Sequence, residues 1–522
     1  MLPTIDNNFY DKFIIIPPLL NHMEEYKTRF IDFLLRTGAL KVGEDFSLKS
    51  KRISPWFVNI GDFDDGETSA ALGEFYADSI LNSGADFDLL YGIPEKGNGL
   101  AVATAIEMAR KKRNVPRFST RKFPKDYGEA SVMKGYGDAR NVKEFITLTK
   151  HLPQTERIKS WVIGRAPKNG QSIVQLDDVF TAGDAKYEAR ELLQFLGDFN
   201  FPLLVIGVDR QEVGIDATGR SAIEEYEQKT GTRVVSVVNA LDVYDFLREH
   251  APVKTASGEI RREDVERMAT YLRVYGTTTA RKAIGSLEQI VIERDKSVIP
   301  ACDVSTLEEF ERLVESTADV EGIGGYKVGF ELGLAYSLGK VVEIVRKHTT
   351  KPVIYDHQKA GTDIPDTGRN FARVCKAAGV DAVILFPQAG PETERAWIYH
   401  SLDAGLKVIV GGRMTHPAYA VSEGGFITDE GALDMYRIAA SAGINHFVVP
   451  GNKVDVIAEV KLTVEAKGVS PVFYAPGFIA QGGSISDAAK VAGDRFHGIV
   501  GRGIYQALDI KAAAIEHASQ IS

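Results

Sequence analysis

The chain has 522 residues, 44% of them hydrophobic and 25% charged, which is the composition of a globular protein and too long for one ordinary domain. A net charge of −9 excludes general nucleic-acid affinity, so basic clusters need local explanations such as phosphate binding. Two cysteines, Cys302 and Cys375, with no CxxC or Cys/His metal spacing, exclude a disulfide framework and predict reduced thiols in a cytoplasmic protein.

The apolar run from Phe13 to Leu20 is interrupted by two prolines and is too short to span a bilayer. It reads as an arm that packs on the core or a partner. Helical spacing covers 23–38 and ends near Gly38. Residues 46–59 alternate apolar and polar around a basic centre, as an edge strand does. An amphipathic helix over 68–83 closes at Gly84, and a buried strand follows at 88–92. It runs into Ile93-Pro-Glu-Lys-Gly-Asn-Gly99 and a helix over about 100–112. Strand–loop–helix recurs at 172–195 and 203–225, with a further strand at 233–238. This alternation predicts a mostly parallel sheet covered on both faces.

Two stretches of this half carry chemistry. Ile173-Val-Gln-Leu-Asp-Asp-Val-Phe-Thr-Ala-Gly-Asp184 is an apolar strand that delivers Asp177 and Asp178 to its carboxyl end, then a small-residue loop that opens a helix. The acids suit sugar hydroxyls. The Thr181-Ala182-Gly183 loop suits a phosphate held by backbone N–H groups and the helix N-terminus. The second stretch, 121–129, places Arg121, Lys122 and Lys125 together in an acidic chain. It reads equally as a solvated loop and as a lid that neutralises a departing pyrophosphate. The segment from Asn141 to about Gly170 reads as either an added surface element or part of an interface.

Residues 248–285 are mixed in charge and contain one or two helices, which divides the chain into a domain over 1–247, a linker, and a domain over 286–522. The second domain has eight short apolar runs, at 298–303, 324–329, 352–356, 381–387, 407–413, 446–450, 471–476 and 498–502. Eight such units in this length predict a (β/α)8 TIM barrel. Chemistry in such barrels sits at the carboxyl ends of strands. Those ends hold Asp303, Lys327, Asp356 with Lys359 and Asp363, Thr415, Pro476-Gly477 and Gly501-Arg502. Alternating lysines and aspartates keep every charge paired around a ligand. An anionic substrate group beside the central Asp356 is repelled by it, and loss of that group as CO2 relieves the repulsion. A lysine ammonium can protonate the carbanion left behind, with no cofactor. A structural ion-pair network is the alternative.

These motifs resemble known families. Residues 30–215 are similar to orotate phosphoribosyltransferase, a type I phosphoribosyltransferase with a Rossmann-like parallel sheet. The likeness lies in Phe46–Asn59, Tyr91–Gly97, Arg121–Glu129, Ile173–Asp184 and Val208-Asp-Arg-Gln-Glu212. The resemblance implies that Lys49 and Phe57 contact orotate and that Arg210 holds its carboxylate. It puts Lys96, Arg121, Lys122 and Lys125 on the pyrophosphate of 5-phosphoribosyl-1-pyrophosphate (PRPP), Asp177 and Asp178 on the ribose, and Thr181, Ala182 and Gly183 on the 5′-phosphate. Mg2+ accompanies PRPP. Tyr127 replaces the histidine usual in the lid. It keeps a hydroxyl donor but does not titrate near neutral pH.

The second half resembles orotidine 5′-monophosphate (OMP) decarboxylase, through Pro300-Ala-Cys-Asp303, Tyr326-Lys-Val-Gly329, Met414-Thr-His-Pro417, Ala475–Gly483 and Ile499–Tyr505. By that resemblance Asp303 and Lys327 bind the ribose, Asp356 stresses the carboxylate, and Lys359 donates the proton. Asp363 enters the partner subunit's site, Thr415 reads the pyrimidine, and Pro476, Gly477, Gln481, Gly482, Gly501 and Arg502 grip phosphate. The family core Asp-x-Lys-x-x-Asp is stretched here by one residue in each gap, which would turn Lys359 to the opposite face of a regular strand unless a bulge or turn intervenes. His357 is then a spare candidate, against the more ordinary role of a packed or solvated histidine.

The order, transferase then decarboxylase, is that of the fused UMP synthases. It implies small-molecule substrates, no nucleic-acid or membrane partner, and a homodimer or higher oligomer. Two rival readings stand: a barrel that only binds OMP or dimerises, and another phosphosugar decarboxylase on the same barrel.

Overall fold

A computed structural model describes residues 23–124, 141–180, 183–215, 219–287, 289–358, 360–478 and 482–521. The helix expected first spans Glu25–Arg36. The alternating stretch after it is not one edge strand. It is the larger part of a hairpin, β1 (Leu40–Ser47) paired antiparallel with β2 (Ile53–Val58). The turn closes where the Leu48 amide donates to the Arg52 carbonyl, and Lys51 takes a left-handed φ of 69°. Both arms keep period-two alternation, and neither Gly nor Pro marks the turn, so the pattern reads as a single strand.

Six further strands are β3 (Leu89–Gly92), β4 (Arg117–Thr120), β5 (Val162–Gly164), β6 (Ser172–Leu176), β7 (Asn200–Asp209) and β8 (Arg233–Asn239). They lie in the order β5–β4–β3–β6–β7–β8. All neighbours are parallel except β5 against β4. Alternate residues enter two different cores. Leu90, Val174, Leu203 and Val205 face one, and Leu89, Tyr91, Ile173 and Leu204 face the other. That division is what a parallel sheet covered on both faces requires. The segment left open at 141–170 forms helices Val142–Thr149 and Gln154–Trp161 and then β5. Its Phe145 and Trp161 join the second core, their rings 6.0 Å apart edge-on.

Residues 248–285 contain the expected helix, Arg262–Tyr275, and a second, Thr278–Ile284. They also hold a small hairpin that the sequence did not signal, β9 (Val253–Thr255) with β10 (Gly258–Ile260). Val265, Met268, Tyr271, Leu272 and Tyr275 are buried, so this segment is a packed wedge and not a solvated tether.

The second half forms β11 (Lys296–Pro300), β12 (Tyr326–Val328), β13 (Val353–Asp356), β14 (Ala382–Leu385), β15 (Lys407–Gly411), β16 (His446–Val448), β17 (Val472–Ala475) and β18 (Phe496–Val500). Neighbours in the barrel are parallel in the order β11–β18–β17–β16–β15–β14–β13–β12. A bridge between Ala301 and Lys327 brings the two ends together. Ile299, Ile354, Ile384, Ile409, Val448 and Ile499 fill the barrel, while their neighbours pack outward on the helices. The interior is thus a packed core with its open mouth at the strand ends.

Candidate active sites

In the first half, β6 ends where the sequence places it, at Asp177 and Asp178. Both acids are buried and each holds a lysine. Asp178 Oδ2 lies 2.6 Å from Lys96 Nζ, and Asp177 Oδ2 lies 2.5 Å from Lys186 Nζ. Burial raises the Asp177 carboxyl above its ordinary range, and the Lys186 ammonium opposes this. The Tyr76 hydroxyl donates to the Asp177 carbonyl at 2.8 Å and fixes the strand end from the opposite side. Gly183 has a φ of +83° and opens the helix Asp184–Leu196. The first glycine loop approaches as closely as backbone allows. A Cβ on Gly92 would run into the Gly97 carbonyl, and one on Gly97 into the Leu176 carbonyl. The first loop and the helix Lys96–Arg110 that it enters therefore sit against the end of β6, where Lys96 meets Asp178.

Arg210 follows β7. It stacks on Trp56 at 4.0 Å, donates to Ser54 Oγ at 2.8 Å and to the Trp56 carbonyl at 3.2 Å, and pairs with Glu212 at 2.7 Å. Phe57 projects from the other face of the hairpin and stacks on Phe46, centroids 5.6 Å apart. Lys49 is exposed at the hairpin turn. Arg121 and Lys122 line a cavity of about 290 Å³ with Tyr91 and Glu95, and Lys122 lies 3.3 Å from Glu95. Lys125 and Tyr127 of the lid, and Thr181 and Ala182, lie outside the described residues.

The barrel mouth holds a cavity of about 250 Å³ that gathers Asp303, Lys327, Asp356, Thr415, Gly477 and Arg502 from six strand ends. Pro476 and Gly501 line it too. Lys327 is 6% exposed and its Nζ sits 3.5 Å from Asp303 and 3.3 Å from Asp356. Burial alone would lower the Lys327 ammonium. The facing Asp356 and Asp303 outweigh it and hold the pKa above its ordinary value.

After Asp356 the chain turns. Gln358 has a left-handed φ of 54°, and its amide donates to Asp356 Oδ1 at 2.8 Å. A turn thus stands in the stretched Asp-x-x-Lys spacing, just before Lys359, which itself lies outside the described residues, as does Gln481. His357 is exposed and bonded to the Tyr355 hydroxyl, which packs toward Phe371 in the outer helical layer. It does not line the cavity, so its role as a spare donor is not supported by its placement. Asp363 is exposed and does not line the cavity of its own chain, and Gly482 is likewise at the surface.

Several site residues escaped the sequence reading. Lys186 gave no signal beyond a polar position on a helix. Tyr505, Met414 and Phe478 also line the barrel cavity, and each lies within three residues of a strand-end residue that the sequence did single out. Ser54, Trp56 and Glu212 surround Arg210.

The family model described as orotidine 5′-phosphate decarboxylase / HUMPS matches residues 296–516. An orotate phosphoribosyltransferase of Xanthomonas oryzae is 34% identical over 229 residues, covering 44% of this chain and 90% of the relative. One of Pseudomonas aeruginosa is 36% identical over 233 residues, covering 44% and 93%. A crystal structure of orotidine 5′-monophosphate decarboxylase from Methanocaldococcus jannaschii with the inhibitor BMP is 25% identical, covers 44% of this chain and 100% of its own, and has a TM-score of 0.39. The chain belongs to the orotate phosphoribosyltransferase family over its first half and carries an orotidine 5′-phosphate decarboxylase domain over its second, the composition of a fused UMP synthase.

Proposed function

We propose that the first half joins orotate to PRPP, giving OMP and pyrophosphate, and that the second half decarboxylates that OMP to UMP, two consecutive steps of pyrimidine biosynthesis. The observation that carries the reading is the barrel mouth, where a buried lysine is held between two aspartates and Arg502 lines the same cavity.

In the transferase, Asp177 and Asp178 accept from the ribose hydroxyls, and the Thr181–Gly183 loop holds the 5′-phosphate against a helix N-terminus. Arg210 pairs with the orotate carboxylate, and Lys49 and Phe57 bound the pyrimidine. Lys96 neutralises the leaving pyrophosphate, joined by Arg121, Lys122 and Lys125 of the lid, with Tyr127 as a hydroxyl donor. The donor set fits a Mg2+ carried in with PRPP. Asp177 and Asp178 already have lysine partners, so the ion would lie mainly on pyrophosphate, ribose and water oxygens, as this cation prefers. When bound, it offsets the negative charge of the pyrophosphate.

In the decarboxylase, Asp303 and Lys327 hold the ribose and Thr415 reads the pyrimidine edge. Gln481, Gly482, Gly501 and Arg502, with the Pro476-Gly477 turn, take the phosphate. Asp356 repels the substrate carboxylate. The bond from the ring carbon to the carboxylate breaks, CO2 leaves, and the electron pair stays on the ring carbon, which takes a proton from Lys359. Asp363 serves the partner subunit's site in a homodimer or larger assembly. The domain limits we assign are 1–247, 248–285 and 286–522, in a cytoplasmic protein. No helix among the described residues is long and apolar enough to cross a membrane.

The test is OMP turnover by the full chain with a chelator present, beside Lys359→Ala. Metal-free UMP formation that collapses in the variant is the expected result. UMP formation that survives the substitution assigns the proton to another group. No UMP from either chain would leave a barrel that only binds OMP.

A further inference from the structure

The hairpin that carries the orotate pocket is gripped by the barrel. Arg52, in its turn, is 5% exposed and makes a dense set of contacts. It donates to the Val213 and Gly214 carbonyls at 2.8 and 2.9 Å and stacks over Tyr275 at 4.7 Å. Its Nε and Nη2 make a two-pronged pair with Glu392, at 3.1 and 2.7 Å. Glu392 belongs to the barrel, in the first turn of the helix Pro391–Asp403 that follows β14, where a carboxylate is favoured by the helix dipole. The remaining prong of Arg52 points back into the first half, with Nη1 3.7 Å from Glu212 Oε2. The other oxygen of Glu212 holds Arg210 at 2.7 Å. Four charges thus alternate in one line, Glu392–Arg52–Glu212–Arg210, from the barrel to the group that faces orotate. The same contact reaches the segment after β13, since a small cavity is lined by Arg52 and Tyr275 on one side and by Pro365, Asp366, Glu392 and His400 on the other.

We propose that Glu392 of the decarboxylase half is a positioning residue for the orotate pocket of the transferase half, acting through Arg52 and Glu212 on Arg210. This deepens the proposed function and rests on its assignment of Arg210 to the orotate carboxylate. A guanidinium keeps its charge under all ordinary conditions. Without the carboxylate of Glu392, Arg52 has Glu212 as its remaining acidic neighbour in this line. It draws Glu212 toward itself and away from Arg210, and the hairpin turn loses its fixed seat on the barrel. Arg210 then rests on Ser54, Trp56 and Tyr271 without the Glu212 carboxylate, and its fork no longer meets the orotate carboxylate at a fixed angle. PRPP binds at the ends of β3 and β6, outside this line of charges, and is not affected.

The experiment uses the full chain with Glu392→Gln, which preserves size and removes the charge. The expected result is a rise of about tenfold in KM for orotate, with KM for PRPP, transferase kcat and OMP decarboxylation unchanged, and partial recovery in Glu392→Asp. An unchanged KM for orotate would overturn the proposal. So would a joint rise of both KM values with a lower melting temperature, which is the signature of a merely structural contact. Arg210→Lys is measured alongside. If it leaves KM for orotate unchanged, the assignment of Arg210 falls and takes the proposal with it, a failure distinct from that of Glu392.

Discussion

Lys327 faces two carboxylates at once, and its burial makes that pairing obligatory. An ammonium removed from water is costly unless opposite charges compensate it, and deleting one member of such a cluster leaves the others uncompensated. Lys327→Met would leave Asp303 and Asp356 to face an anionic substrate with no cation between them. The expected outcome is a fall of about a thousandfold in decarboxylase kcat with orotate transfer unchanged, read on the same preparation. Near-normal decarboxylation in this variant would remove Lys327 from the reaction. This residue was legible in the sequence because a short apolar run fixes where a barrel strand ends, and a lysine there has few packing reasons to exist. Lys186 was not legible. It reaches Asp177 only because the helix begins at Asp184, which places its first turn over the end of β6. On the sequence it is one more polar residue on an amphipathic helix. His357 shows the reverse case, a chemical candidate whose expected role was that of a packed or solvated histidine. Chemically it was a candidate, but alternation along β13 sends Asp356 to the mouth and leaves His357 bonded to Tyr355.

At the scale of elements, the candidate site of the first half depends on the first glycine loop meeting the end of β6. Gly97, in the first turn of the helix Lys96–Arg110, has the Leu176 carbonyl where a Cβ would stand, so any side chain there pushes that helix end off β6 and moves Lys96 with it. Gly97→Ala should raise KM for PRPP and lower transferase kcat together, for a loss in kcat/KM of about a hundredfold. The barrel's OMP turnover serves as the control for folding. An alanine variant with unchanged transferase kinetics would mean that the loop adjusts without cost. Long buried strands and helices were legible here because period two and period 3.6 persist over enough residues. The β1–β2 hairpin was not, since its turn uses Leu48, Ser50 and Lys51 where a turn signal would be glycine or proline. The segment at 248–285 holds the helices expected of it, but its packing was not legible, for a related reason. Its helix Arg262–Tyr275 carries charged residues among the apolar ones, which reads as a linker. Those charges meet partners on both halves, such as Arg267 with Asp45 and Asp403.

Over the whole molecule, one buried cluster runs from Phe30 to Ile521 and includes residues of both halves. Tyr271 and Tyr275 of the wedge meet Tyr399 of the barrel with centroids 5.4 and 5.9 Å apart. Two buried histidines deep in the barrel add to the acid sensitivity of this assembly. His446 Nε2 contacts the Gln289 carbonyl at 2.8 Å and its Nδ1 the Tyr474 hydroxyl at 2.9 Å, while His497 Nδ1 contacts Ser297 Oγ at 2.8 Å. Burial, reinforced by Arg495, pushes His446 down to about 4 and His497 down to about 3. Both stay neutral in the folded state at pH values where an unfolded chain protonates them, near 6.5. The unfolded state then binds more protons, so stability is complete above pH 6.5 and is lost as pH falls through 6.5 toward 4 and below. Each histidine contributes a slope of at most about 1.4 kcal/mol per pH unit in that window. Trp397 reports on the barrel alone once Trp56 and Trp161 are replaced by phenylalanine. In that background the urea midpoint of the barrel should fall steadily from pH 6.5 to 4, and His497→Asn should flatten the fall while lowering the midpoint at pH 7. An equal slope in the variant would place the acid sensitivity elsewhere, in the carboxylates that hold the two halves together.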